Sequence, residues 1–202
     1  MTNIAVFASG RGTNFSAIAR AAKKGKLKAN LALLVCDNPD AGVIEKAKRS
    51  GVKVALVKRE DFPAKSDFEN AIIRYLEENT IELIVLAGFM RMLSPEFVSR
   101  YRNKIINIHP AILPSFKGDK GIKDAFEYGV KVTGVTVHFV DEKMDHGPII
   151  LQSAVKVEDN DTLESLEAKI HKTEHKLYLQ AIKLFIEGRL KPEGRKVRVV
   201  NP

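Results

Sequence analysis

The stretch Ile4-Ala5-Val6-Phe7-Ala8-Ser9-Gly10-Arg11-Gly12-Thr13-Asn14 is an apolar run that stops at a glycine-rich turn. Just beyond it, Phe15, Ile18, Ala19 and Ala22 recur at helical spacing. The same strand–turn–helix unit then repeats along the chain. Leu31 to Cys36 is followed by a helical pattern over Ala41 to Ser50, closed by Gly51, and Val52 to Val57 by one over Ser66 to Glu78. Leu83 to Ala87 leads to Ser94-Pro95, an N-cap with proline at the first helical position, which opens a short helix to Arg100. Ile105 to Ile108 is the fifth apolar run. Such alternation predicts an α/β fold: a doubly wound, Rossmann-like, mostly parallel sheet with helices on both faces.

The second half is patterned differently. Val132 to Val140 and Ile149 to Val157 alternate β-branched residues with others, and the Asp141–Pro148 connection makes them a hairpin. The sheet is therefore expected to be mixed. Asp161 or Thr162 caps a long helix to about Glu187, with Leu163, Leu166, Ile170, Leu177, Ala181 and Leu184 as its apolar stripe. Gly188 ends it, and Arg195 to Val200 is read as an edge strand. The 202 residues show no repeat, low-complexity stretch or linker, so one domain is expected over 1–202.

Composition narrows the function. Hydrophobic residues make up 45 % and charged residues 29 %, as in an ordinary globular protein. No apolar run approaches the ~20 residues of a membrane span. The chain starts directly on a strand-like segment, without a signal-peptide pattern. Cys36 is the only cysteine, which excludes an internal disulfide and fits the cytoplasm. The net charge of +8 favours anionic partners. Nucleic acid is a poor match, because the lysines are scattered among acids, Trp is absent and no basic run is interleaved with aromatics. Small, multiply charged anions suit this charge better.

Four segments carry chemistry. In Asn107-Ile108-His109-Pro110, the amide and the imidazole lie two apart and share a strand face. Proline then ends the ladder, where a parallel sheet tends to open into a ligand cleft. An amide can hold an oxyanion, and an imidazole can move protons. In Asp145-His146-Gly147-Pro148, the carboxylate is either a turn former or the partner that orients His109. The Ser9–Asn14 turn is neither a dinucleotide fingerprint, since Phe15 stands at the third glycine position, nor a Walker A loop. It suits a single phosphate at a helix start, or it is a glycine turn with Thr13 or Asn14 capping the helix. Gly88-Phe89-Met90-Arg91-Met92-Leu93 follows the fourth strand and suits a flat heteroaromatic ring, or is a Met-rich core patch. His138 reads as a satisfied core histidine and His146 as a solvated loop residue. His171 and His175, four apart, read as surface residues rather than a metal pair.

Together these segments resemble the phosphoribosylglycinamide formyltransferases, folate-dependent transformylases of purine synthesis. The likeness spans nearly the whole chain. It rests on Ala8–Asn14, Leu86–Pro95, Asn107-Ile-His-Pro-Ala-Ile-Leu-Pro114, Gly134–Asp141 and Asp145–Pro148. The resemblance implies one formyltransferase domain, with a phosphate-binding half over 1–100 and a catalytic and folate-binding half over 101–202. It implies formyl transfer from 10-formyltetrahydrofolate, as cosubstrate, to the amine of glycinamide ribonucleotide, with no metal. Asn107, His109 and Asp145 would be catalytic, with His109 held charged or oriented by Asp145. Gly12, Thr13 and Asn14 would hold the phosphate and Glu174 would face the ribose. Lys65 would meet the folate's glutamate tail. Met90, Arg91, Met92, Leu93, Asn107, Glu142, Lys143 and Met144 would bind the folate. Small molecules would be the only partners, with no nucleic acid and no membrane, and the chain would be a monomer or homodimer.

The chain also departs from these relatives. Ser115 to Ile122 replaces a Gly-x-His motif, His171 stands where lysine is common, and His146 replaces a small residue. Formyltetrahydrofolate deformylase resembles this chain too, with the same Asn, His and Asp set. Its regulatory domain has no counterpart here, and the glycine loop favours a phosphorylated acceptor over water. Methionyl-tRNA formyltransferase carries an added barrel, and a non-enzymatic phosphate sensor would give Asn107, His109 and Asp145 no task.

Overall fold

The computed structural model describes residues 1–201. Among them, nine strands form one mixed, mostly parallel sheet in the order β3-β2-β1-β4-β5-β6-β7-β9-β8. The chain divides into two compact units, the first ending at Ile106 and the second starting at Asn107.

In the first unit, β1 (Thr2–Phe7) pairs in parallel with β2 (Ala29–Cys36) and with β4 (Leu83–Leu86), and β2 pairs with β3 (Lys53–Leu56). Ile4 to Phe7, Leu33 to Cys36 and Leu83 to Val85 are all nearly or fully buried. Continuous rather than alternating apolar runs are what a parallel sheet covered on both faces requires. The helices between these strands are α1 (Thr13–Lys23), α2 (Val43–Arg49), α3 (Lys65–Glu78) and α4 (Pro95–Arg100). Phe15, Ile18 and Ala21 form the buried stripe of α1, so Ala19 and Ala22 lie on its partly exposed flank. α2 is shorter than expected because Gly42 is its N-cap. Ser94 caps α4 as expected, its Oγ accepting from the Phe97 N–H at 3.1 Å with Pro95 at the first position.

The second unit begins inside β5 (Ile105–His109), which runs one residue further than its apolar pattern and so includes His109. β6 (Val132–Phe139) and β7 (Ile149–Lys156) form the expected antiparallel hairpin. Thr162 rather than Asp161 caps α6 (Leu163–Ile186), in a capping box with Ser165. The buried stripe of α6 also includes Glu174 and Tyr178.

Two elements have no counterpart in the sequence pattern. α5 (Gly121–Tyr128) buries only Gly121 and Ala125, too few positions to show a period, so Gly121 and Ile122 belong to a helix rather than to the preceding loop. β8 (Leu190–Glu193) is hidden by its Lys-Pro-Glu composition. Consequently β9 (Lys196–Val199) is not the edge strand. It pairs in parallel with β7 and antiparallel with β8, and β8 takes the edge, where a proline is tolerated.

Candidate active site

In the first unit, the loops after β1, β2 and β4 meet at Ser9. The Ser9 N–H donates to the Gly88 carbonyl at 2.9 Å. Its Oγ donates to Asp37 Oδ1 at 2.5 Å and accepts from the Met90 N–H at 2.9 Å. The Asn38 amide donates to the Ser9 carbonyl at 3.2 Å. Beyond Ser9 the chain turns at Gly12, whose φ of 70° is left-handed. A Cβ there would lie 2.6 Å from Val43 Cβ and closer still to its Cγ2. Gly12 is the N-cap of α1 and no side chain bonds to the cap, so Thr13 and Asn14 lie inside the helix and do not cap it. The Lys46 ammonium donates to the Arg11 carbonyl, adding positive charge beside the turn. A helix start without a side-chain cap, a left-handed glycine and a lysine together suit an anion.

The loop after β4 is not a core patch. Met90 and Met92 are 66 % and 49 % exposed, while Leu93 is buried. Arg91 is held by its side chain, with Nε donating to Asp37 Oδ2 at 2.7 Å. Lys65 opens α3 and lies 3.9 Å from Glu69, whose buried carboxylate accepts the Ser94 N–H at 2.7 Å.

The second unit gathers Asn107, His109 and Asp145, and adds His138. His109, 3 % exposed, places Nδ1 3.4 Å from Asp145 Oδ2. Its Nε2 donates to the Phe116 carbonyl at 2.7 Å, since a carbonyl can only accept. His138 Nδ1 likewise donates to the Phe139 carbonyl at 2.7 Å. With Nδ1 so engaged, Nε2 is the nitrogen left to accept from the Asn107 amide at 3.2 Å. That bond fixes which way the Asn107 amide faces. The same Nδ2 lies 3.5 Å from Asp145 Oδ1, at the limit of a hydrogen bond.

Asp145 sits at a left-handed φ of 46° in the β6–β7 connection. Its Oδ2 accepts the Gly118 N–H at 2.8 Å. Burial alone would raise its pKa, but the neighbouring His138 and His109 rings and the Gly118 N–H together hold it below the ordinary aspartate value. For His109 the balance goes the other way. Burial pushes its pKa down, and the upward pull of Asp145, the Phe116 carbonyl and Glu174 does not offset it. Of the two expectations for His109, held charged or oriented by Asp145, the lowered pKa favours the second.

The segment between Pro110 and α5 lies against this cluster through Phe116 and Gly118. Its root is fastened where the buried Thr136 hydroxyl donates to the Ala111 carbonyl at 2.7 Å and accepts the Leu113 N–H at 3.1 Å. On the connection that carries Asp145, Glu142, Lys143 and Met144 are exposed. Asp141 organises this loop, its two oxygens accepting the Lys143 N–H at 3.0 Å and His146 Nδ1 at 2.6 Å. Arg195 donates to the His146 carbonyl, so His146 is tied down rather than merely solvated. Glu174, 5 % exposed on α6, accepts from His171 Nδ1 at 2.8 Å. Among the described residues no group of three or more His, Cys, Asp or Glu side chains is arranged to hold a metal ion.

The formyl transferase family matches residues 2–182. The chain belongs to the formyl transferase family. Its members include a phosphoribosylglycinamide formyltransferase of Bacillus subtilis, 48 % identical over 183 residues that cover 91 % of this chain and 94 % of the relative. The glycinamide ribonucleotide transformylase 1 of Symbiobacterium toebii is 41 % identical and superposes with a TM-score of 0.96 over 100 % of this chain and 95 % of that one. A formyltetrahydrofolate deformylase of Pseudomonas syringae has a TM-score of 0.92 over 99 % of this chain and 66 % of that one. At 24 % identity it shares the fold alone.

Within this formyl transferase chain, His138 is the satisfied core histidine the sequence suggested, but its contact with Asn107 and the ion pair of Asp37 with Arg91 were not foreseen. Gly134, Thr136 and His138 share one strand face, and all three are buried. A polar set on a buried face is the signal that pointed beyond a filler histidine. Asp37 gave none, because an Asp after a strand end is ordinary turn chemistry.

Proposed function

We propose that this chain transfers a formyl group from 10-formyltetrahydrofolate to the amine of glycinamide ribonucleotide, giving the formamide and tetrahydrofolate. The observation that carries the reading is the Asn107–His138–Asp145–His109 cluster in a chain 48 % identical to a phosphoribosylglycinamide formyltransferase. The family match runs through both units, which supports reading the chain as one formyltransferase domain. The cytoplasm is the compartment this reading assigns. Among the described residues no helix is long and apolar enough to cross a membrane.

In the reaction, the substrate amine attacks the formyl carbon and a new C–N bond forms. The carbonyl electrons move onto oxygen. Asn107 donates to that oxyanion with the hydrogen now directed at Asp145 across 3.5 Å, while its other hydrogen stays on His138. Preorganised donors of this kind are worth ~100-fold or more in rate. The former amine then loses a proton, the bond to folate N10 breaks, and N10 takes a proton. Asp145, directly or through a water, is the base, and His109 is the donor that steadies the developing negative charge. For His109 Nε2 to face substrate, the Phe116 carbonyl must give up its bond. Gly12, Thr13 and Asn14 hold the phosphate and Glu174 the ribose. Met90 to Leu93, Asn107 and Glu142 to Met144 hold the pterin, and Lys65 the glutamate tail.

The test is turnover of 10-formyltetrahydrofolate with and without glycinamide ribonucleotide. Turnover should require the ribonucleotide, and Asn107→Ala or His109→Ala should reduce kcat by at least ~100-fold. Equal turnover without the ribonucleotide would replace the transferase with a deformylase.

A further inference from the structure

We propose that Asp37 is a positioning residue for folate recognition, holding the Met90–Leu93 loop through Arg91 and Ser9. The proposal rests on the folate-binding reading of that loop and deepens it. Asp37 follows β2 directly and is 8 % exposed. Its two oxygens have separate tasks. Oδ2 takes Arg91 Nε at 2.7 Å, and Oδ1 takes the Ser9 hydroxyl at 2.5 Å. The Ser9 hydroxyl in turn accepts the Met90 N–H at 2.9 Å. One buried carboxylate thus fixes the side chain of one loop residue and, through a relay, the backbone of its neighbour.

Apolar contacts hold the flanks of this loop, where Phe89 packs edge-on against Phe7 with ring centroids 5.2 Å apart and Leu93 is buried. Met90 and Met92 are largely exposed, and Gly88 has a left-handed φ of 78°. Ser9 itself cannot drift, because its N–H is on the Gly88 carbonyl and its own carbonyl takes the Asn38 amide. The loop after β4 is therefore held to β1 and β2 at polar points, and Asp37 supplies the charged one. Charge-assisted bonds are about twice as strong as neutral ones, and a buried carboxylate deprived of a partner is costly. A ring-binding loop that works through backbone groups needs this fixed geometry more than it needs further contacts. Asparagine at 37 could still accept from Ser9, but its neutral amide would lose the ion pair with Arg91.

The experiment measures kcat and both KM values for Asp37→Asn, Arg91→Gln and the double variant, with wild-type turnover as the control. Ribonucleotide-dependent turnover by the wild type upholds the transferase reading independently of the variants. The positioning role predicts that Asp37→Asn raises KM for 10-formyltetrahydrofolate about tenfold. It should leave kcat and the ribonucleotide KM within about threefold. Arg91→Gln should match it, and the double variant should add nothing, because both break one link. Arg91→Lys, which keeps the charge, should recover part of the folate KM. A folate KM unchanged in Asp37→Asn would overturn the proposal. So would multiplicative effects in the double variant, which would mean that Arg91 meets folate independently of Asp37. Thermal unfolding of each variant accompanies the kinetics. An apparent kcat that fell in proportion to lost folded protein, with the folate KM unchanged, would make Asp37 merely structural and also overturn it.

Discussion

Replacing Gly12 with alanine tests the proposed phosphate cradle at its tightest point. Two costs can be worked from the structure. The first is conformational: φ is 70°, and a left-handed backbone costs a non-glycine residue about 1–2 kcal/mol. The second is steric, since the new Cβ would sit 2.6 Å from Val43 Cβ and 3.1 Å from its Cα. The Cα is backbone at the start of α2 and cannot rotate away, so overpacking adds about 1–3 kcal/mol. The sum is about 2–5 kcal/mol, a fall in Tm of roughly 2–4 °C per kcal/mol for a chain of this size. Denaturant titration of Gly12→Ala against wild type measures it. Val43→Ala in the same background should restore only part of the loss, because it removes the clash with Cγ2 and leaves the crowding against Cβ and the backbone of residue 43. In activity, Gly12→Ala should raise the ribonucleotide KM more than the folate KM. A loss under about 1 kcal/mol, below the range for either cost, would refute the reasoning. Full rescue by Val43→Ala would refute the claim that the α2 backbone is part of the clash.

The depressed pKa of Asp145 means that its carboxylate contributes stability above the ordinary aspartate pKa, lost as pH falls through the lower folded value. The depressed pKa of His109 also favours higher pH: its contribution is present above the ordinary 6.5 and lost as pH falls toward its folded value. Stability curves of wild type and Asp145→Asn against pH should therefore converge in acid, and divergence in acid would contradict this. Thr162→Ala removes the α6 cap and should cost about 1 kcal/mol by denaturant titration, with kcat unchanged. Arg195→Ala should speed amide exchange over residues 141–147 without changing exchange in α6, since Arg195 fastens that loop at His146. Unchanged exchange there would leave Arg195 without a role in the loop.

The sequence was readable wherever one local rule governed a segment. Ser94-Pro95 named its helix start, and the apolar runs of the first half named buried parallel strands, because β-branched and aliphatic residues had no competing use there. The rules weakened where tertiary contacts decided. β8 is held by pairing with β9, not by its Leu-Lys-Pro-Glu composition, and α5 buries too little to show a period. At the site, Asn107, His109 and Asp145 were legible because their types have few other joint uses. Their hydrogen-bond partners were not. The Phe116 carbonyl and the Gly118 N–H are backbone atoms, available at every residue, and only the fold selects these two.

Those unreadable partners change what His109 does. With Nε2 donating to a carbonyl, that nitrogen keeps its proton, so Nδ1 is the one that titrates, and it faces Asp145 at 3.4 Å. Burial opposes a second proton and Asp145 favours it, and burial prevails. Neither nitrogen is then suited to take a proton from an amine: one is already protonated, and the other is turned to a carboxylate. The sequence alone presents His109 as a proton carrier beside an oxyanion donor, and the resemblance as a group held charged or oriented by Asp145. In the folded site its Nε2 is a donor beside the Asn107 donor, and Asp145 is the only one of the three side chains proposed as catalytic that offers an anionic acceptor. Asp145 is held below the ordinary aspartate pKa, with the Gly118 N–H among the groups that offset its burial. In the proposed mechanism, proton removal thus depends on a backbone N–H of the 110–120 segment as much as on any of the side chains that first drew attention to it.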